Sequence, residues 1–318
     1  MNVRASAVQV LVQVLGEGRS LATALPPILN RTAVRDRGLL RELCHGVCRW
    51  YFRLQRQLDR LLARPLAVTE YGVRALLLIG LYQLWHLRVP DHAAVSETVA
   101  AARQLRKPWA AGLINAVLRA ALRRKQELAA LLESDSEAGT AHPRWLLARL
   151  RQDWPDDWPA IVAANNSRPP FVLRVNSRRL AREDYRLRLA EAGHSADAVP
   201  GVPTALLLAE PTDAATLPGF AEGWVSVQDA AAQLAAALLE VRPGQRVLDA
   251  CAAPGGKTGH LLECEPNLQL TALDGDAGRL ERVRDTLRRL RTDARLIAGD
   301  AARPADWWDG IPFDRILV

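Results

Sequence analysis

Along the first 130 residues apolar side chains recur three and four positions apart, the spacing that gathers them on one face of a helix. Leu39, Leu40, Leu43, Val47, Leu54, Leu58, Leu61 and Leu62 form one stripe, and Val73, Leu76, Leu77, Gly80, Leu81 and Leu84 another. Pro65, Pro90 and Pro108 punctuate the pattern; Asp91 is placed to cap a helix over 92–105, and Pro108 suits the first turn of the next. Five to seven helices and no strand are predicted from Ala5 to about Ala130.

The rhythm then breaks. "LLESDSEAGTAHP" is acidic, small and rich in breakers, which predicts a linker at about 131–142. Residues 143–226 mix helical segments at 145–150, 158–164 and 182–192 with the extended runs "FVLRVN" (171–176) and "ALLLA" (205–209), a small α/β module. Trp145, Trp154 and Trp158 cluster at its start, where a core role is favoured over base stacking. From about residue 227 strands alternate with helices. "QRVLDA", "LQLTALD", "ARLIAGD" and "FDRILV" read as strands, with helices over 229–240, from about Lys257, and over 278–290, the start of a doubly wound parallel sheet.

Charge sharpens this division. The net charge of +7 conceals twenty Lys and Arg against seven Asp and Glu in residues 1–125, so the basic excess belongs to the helical part and points to a polyanion partner or to solvated helix faces. Four cysteines make no disulfide scaffold, and Cys44 and Cys48, one helical turn apart, read as buried thiols rather than metal ligands. No apolar run approaches the roughly 20 residues that cross a bilayer, and no signal-peptide pattern opens the chain, so a cytoplasmic protein without a membrane partner is expected.

The candidate chemistry lies in "DACAAPGGKTGHL", residues 249–261, between a strand and a helix. A P-loop requires glycine where Cys251 stands, and the dinucleotide fingerprint is absent. What fits is an acid at the strand end followed by small residues at alternate positions, Asp249, Cys251, Ala253 and Gly255, which let backbone approach a ligand such as S-adenosylmethionine. The helix beginning after Gly256 favours that ligand's carboxylate. Asp274 ends the second strand, placed to accept ribose hydroxyls, and Asp300 follows the third, placed near the adenine amino group. Gln228 and Asp229, just ahead of the sheet, have two readings: a helix cap at Asp229, or a role at the cofactor mouth.

"VQDAAAQL", "LDACAAPGGKT", "ALD" and "AGD" together resemble the RNA cytosine-C5 methyltransferases. "LLRELCHGVCRW", "GLYQLWHLRVPDHAAVSETV", "GLINAVLR", "ANNSRPPFVLRVN" and "LPGFAEGWVSVQDA" extend the likeness, in order, to the bacterial RsmB (Fmu/Sun) family acting on 16S rRNA, over nearly the whole chain. The resemblance implies a NusB-like all-α RNA-binding domain at 1–130, an α/β RNA-binding module at 143–226, and at 227–318 the first half of a Rossmann-like class I methyltransferase domain. It implies S-adenosylmethionine as cofactor, held by Cys251, Ala252, Ala253, Pro254, Gly255, Gly256 and Lys257 with Asp274 and Asp300, and 16S rRNA as partner.

In that family "FDRILV" is followed by an Asp-Ala-Pro-Cys segment, with the attacking cysteine later still; neither occurs here. We therefore expect a C-terminally truncated and inactive chain without a catalytic residue, its nucleophile lying beyond Val318, and a monomer for the full-length protein. An RNA-binding module without catalysis is the alternative, and a P-loop NTPase the third reading.

Overall fold

The computed structural model describes residues 2–318, which form two compact units, 2–168 and 169–318. In the first, α1 (Val3–Glu17), α3 (Val34–Arg49), α4 (Tyr51–Leu61), α6 (Asp91–Gln104) and α7 (Ala110–Arg123) surround α5 (Tyr71–His86), and α2 (Leu21–Asn30) packs on α1 and α3. The α5 run from Ala75 to Tyr82 is buried on every side, as its unbroken apolar sequence requires. Small residues set the helix spacing: a Cβ on Gly46 of α3 would stand 2.0 Å from the Tyr82 ring, and one on Gly80 2.6 Å from Leu118.

Residues 131–142, expected as a linker, are largely helical, and two other expectations for this region need correction. The helix α8 (Lys125–Ser134) runs through the stretch, and Asp135 caps α9 (Ser136–Thr140), accepting from the Glu137 and Ala138 amides. Its acids are structural partners of α4: Arg56 pairs with Asp135 at 2.7 Å, and Arg53 donates to the Ala138 carbonyl at 2.9 Å. Asp91 does not cap α6; the cap position is Pro90 and Asp91 is the first helical residue, so its carboxylate acts only through the helix dipole. Trp145 on α10 (Arg144–Asp153) is 72% exposed and Trp154 is exposed too, because among the described residues α10 buries only Leu147. Trp158 opens α11 (Trp158–Asn166) and carries the Arg151 guanidinium 4.5 Å above its ring.

The second unit holds two sheets. β1 (Phe171–Val175), β2 (Ala196–Ala198), β3 (Ala205–Leu208) and β4 (Val225–Val227) pair antiparallel in the order β2-β3-β1-β4, with Tyr185 and Leu189 of α12 (Arg182–Glu191) buried among the strands' apolar side chains. β5 (Arg246–Asp249), β6 (Gln269–Asp274), β7 (Arg295–Ala298) and β8 (Arg315–Leu317) are all parallel, in the order β7-β6-β5-β8. The helices α13 (Ala230–Leu238), α14 (Gly256–Cys264) and α15 (Ala277–Leu290) complete this Rossmann-like layer. The chain steps outward from β5 to β6 and β7, then returns to lay β8 on the other side of β5. Such a reversal opens a crevice at the carboxyl ends of the strands. β8 is an edge strand whose Ile316 is exposed. No described helix is long and apolar enough to cross a membrane.

Candidate functional site

The turn from β5 to α14 is built around three conformational demands. The Ala253–Pro254 peptide is cis, Gly255 sits at φ +95°, and a Cβ on Gly255 would stand 3.1 Å from the Val283 Cα, so only glycine fits there without displacing α15. The first intrahelical bond of α14 runs from the Gly259 amide to the Gly255 carbonyl, which puts the Gly256, Lys257 and Thr258 amides at the positive end of the helix dipole.

Asp249 faces inward and accepts from the Thr258 hydroxyl at 2.7 Å. Burial raises its pKa, opposed by that hydrogen bond, the Cys251 amide and Lys257. It thus fixes the first turn of α14 rather than facing a ligand. Asp274 is 3% exposed at the end of β6: one carboxylate oxygen accepts from the Ala253 amide and the other from the Asp276 amide, each at 3.1 Å, while Arg279 stands 3.4 Å away. It therefore ties the turn to the neighbouring strand, and two carboxylate oxygens retain lone pairs for further donors.

Asp300, past β7, is exposed and accepts from the Ala302 amide at 2.9 Å, while its carbonyl receives the Trp307 indole N–H. Cys251 and Lys257 are exposed, and Ala252 and Gly255 are buried. A cavity of about 490 Å³ adjoins the turn, lined among others by Cys251, Ala301, Trp307, Phe313 and Ile316. Of the two readings at 228–229, Asp229 is the N-cap of α13, accepting from the Ala231 amide at 2.8 Å.

Sequence reasoning missed the charged core beneath the turn. Arg174 of β1 is 1% exposed and makes two bonds to Glu263 of α14, at 2.9 and 2.7 Å, one to Gln228 Oε1 at 2.5 Å and one to the Gly256 carbonyl at 2.8 Å. Gln233 locks the same corner by donating to the Leu173 and Gln228 carbonyls. The available signal was the arginine inside the apolar strand "FVLRV": a charge there must be paired. His260, also buried on α14, has its pKa pushed down to about 3 by burial and then by Arg174, so the imidazole stays neutral.

The thiols divide as their surroundings dictate. Burial pushes Cys44 up to about 12 and Cys48 up to about 11, and raises Cys264. Among the described residues no cluster of His, Cys, Asp or Glu is suited to a metal ion.

Three family models match the chain in succession: the NusB family over residues 1–123, the RsmF/B-like methyltransferase ferredoxin-like domain over 142–215, and 16S rRNA methyltransferase RsmB/F over 236–318. Ribosomal RNA small subunit methyltransferase B of Pseudomonas putida is 54% identical over 319 residues, an alignment spanning all of this chain and 73% of that protein. Its namesake in Pseudomonas syringae pv. tomato is 53% identical, with 71% of its length covered. The crystal structure of PH0851 superposes with a TM-score of 0.75 over 96% of this chain and 71% of that one, at 21% identity, which is a likeness of fold.

Proposed function

The chain belongs to the ribosomal RNA small subunit methyltransferase B family, and on that premise we propose that its β5–α14 turn binds S-adenosylmethionine in the service of cytosine-C5 methylation of 16S rRNA. We assign RNA contact to the basic helical unit and to the antiparallel sheet module, and cofactor binding to the parallel sheet.

When bound, S-adenosylmethionine supplies an electrophilic sulfonium methyl group. The residues present suit it. Cys251, Ala252, Ala253, Pro254, Gly255 and Gly256 keep the turn free of bulk, and the α14 amides with Lys257 favour the carboxylate of the methionine tail. Asp274 has carboxylate lone pairs left for ribose hydroxyls, and the exposed Asp300 carboxylate suits the adenine amino group. The observation that carries this reading is the glycine turn at Gly255, closed against α15 and tied to β6 by Asp274.

Cytosine C5 is too weakly nucleophilic to take a methyl group unaided. A thiolate adding at C6 makes C5 an enamine carbon able to take the sulfonium methyl group, whose S–C bond would break to leave a neutral thioether; a base then removes the C5 proton and the thiolate departs. The target base must leave its stack to be reached. Cys44 and Cys48 are thiols whose pKa burial raises, Cys264 is an exposed thiol at the last residue of α14 with its pKa also raised, and Cys251 belongs to the cofactor turn. Residues 1–318 are therefore expected to bind cofactor and RNA without transferring methyl groups.

Titration calorimetry with sinefungin and with ATP tests the cofactor assignment. Sinefungin should bind, and Asp274→Ala should weaken it by about 1–3 kcal/mol, the cost of leaving polar groups unpaired. Binding of ATP in its place would overturn the assignment in favour of a P-loop-like site.

A further inference from the structure

We propose that Gln228 is a cofactor-binding residue whose side-chain Nε2 donates a hydrogen bond to the carboxylate of the methionine tail. The proposal rests on the S-adenosylmethionine reading above and assigns one residue within that site. Gln228 is 7% exposed, and its Nε2 has no hydrogen-bond partner among the described residues. The amide cannot be turned over to relieve this. Its Oε1 accepts from Arg174 Nη1 at 2.5 Å, and a guanidinium carries donors only, so the NH2 end must face away from Arg174. The backbone is held as well: the Gln228 amide donates to the Val172 carbonyl at 3.1 Å, and its carbonyl accepts from Gln233 Nε2 at 3.0 Å.

That fixed donor lies at the start of α14. A Cβ on Gly256 would stand 3.9 Å from Nε2, ordinary van der Waals contact, so the amide lies beside the first residue of the helix. The Gly256, Lys257 and Thr258 amides precede the first intrahelical bond at the same end. A buried donor without an acceptor is unfavourable, and such groups persist where a ligand completes them. The acceptors at this end, Asp249, Glu263, Gln228 Oε1 and the Gly256 carbonyl, are already engaged by Thr258 and Arg174, whereas Asp274 and Asp300 lie at the ends of other strands. The group of the cofactor that matches a donor cluster at a helix N-terminus is its carboxylate.

The test compares S-adenosylhomocysteine with 5′-methylthioadenosine, a thioether nucleoside lacking the amino-acid tail. By calorimetry, Gln228→Met should weaken S-adenosylhomocysteine about tenfold, the loss of one charge-assisted bond, while leaving 5′-methylthioadenosine within about twofold. In the unsubstituted protein, the ¹⁵N-detected side-chain amide pair of Gln228 should shift on adding S-adenosylhomocysteine and stay put with 5′-methylthioadenosine, a reading that does not depend on the variant folding. Parallel losses for both ligands, or an amide pair unmoved by bound S-adenosylhomocysteine, would overturn the proposal. If the unsubstituted protein bound neither ligand, the cofactor reading itself would fall.

Discussion

Glu263→Leu probes how a full charge is kept inside the second unit. The Arg174 guanidinium has two bonds to Glu263, one to Gln228 and one to the Gly256 carbonyl, and both charged side chains are buried. Removing the carboxylate leaves the cation with two neutral acceptors beside an imidazole that Arg174 itself helps to keep neutral. Orphaning one partner of a buried pair destabilises by about 3–5 kcal/mol. The double change Arg174→Met with Glu263→Leu removes the orphaned charge and forfeits only the bonds to Gln228 and Gly256, at about 1 kcal/mol each. The double variant should therefore lie about 2 kcal/mol below the parent and above the Glu263→Leu single variant. A chain of two compact units has no single unfolding free energy, so the assay is hydrogen exchange of the β1 and α14 amides across a urea series. A Glu263→Leu loss under about 1 kcal/mol, or a double variant weaker than the single, would refute the claim that this pair is held by its own mutual compensation.

Gly255→Ala should destabilise the second unit by about 1–3 kcal/mol, since φ +95° is strained for any other residue and a Cβ would press on α15; an unchanged melting temperature would show that the turn relaxes freely. His260 has its folded pKa lowered to about 3 from the ordinary 6.5, so the unfolded chain binds the extra proton between those values. Its stabilising contribution is complete above pH 6.5 and lost as pH falls toward 3; His260→Phe should decline less steeply over that window in acid titrations of stability, and an identical slope would disprove the link. If the basic helical unit neutralises about six phosphates, RNA affinity should drop roughly a thousandfold between about 50 and 200 mM salt, and a flat filter-binding response would return that charge to solvation.

Much of this architecture was legible because the signals are local. The α5 helix follows from its apolar run, and β5, β6 and β7 follow from apolar segments that each end in or just before an acid. What escaped depends on distant partners. β2 and β4 are three residues each and are strands only by virtue of pairing with β3 and β1. Asp135 looks like a linker acid until Arg56, 79 residues earlier, is placed against it. At the site, Asp249, Asp274 and Gly255 could be picked out from their positions at strand ends and in the turn. The inward commitment of Asp249 and the unpartnered amide of Gln228 could not, since the latter is set by an arginine 54 residues away.

The glycine of α3 that admits the Tyr82 ring imposes an order on sequence change in the helical unit. The Tyr82 hydroxyl donates to Glu42, and the same carboxylate takes Arg168 at 3.1 Å. Position 46 can gain a side chain only after position 82 has surrendered its aromatic ring, and that surrender strips Glu42 of one of its two donors. Divergence among these four positions is thus epistatic: the ring must go first, and each lineage that keeps it inherits the glycine with it.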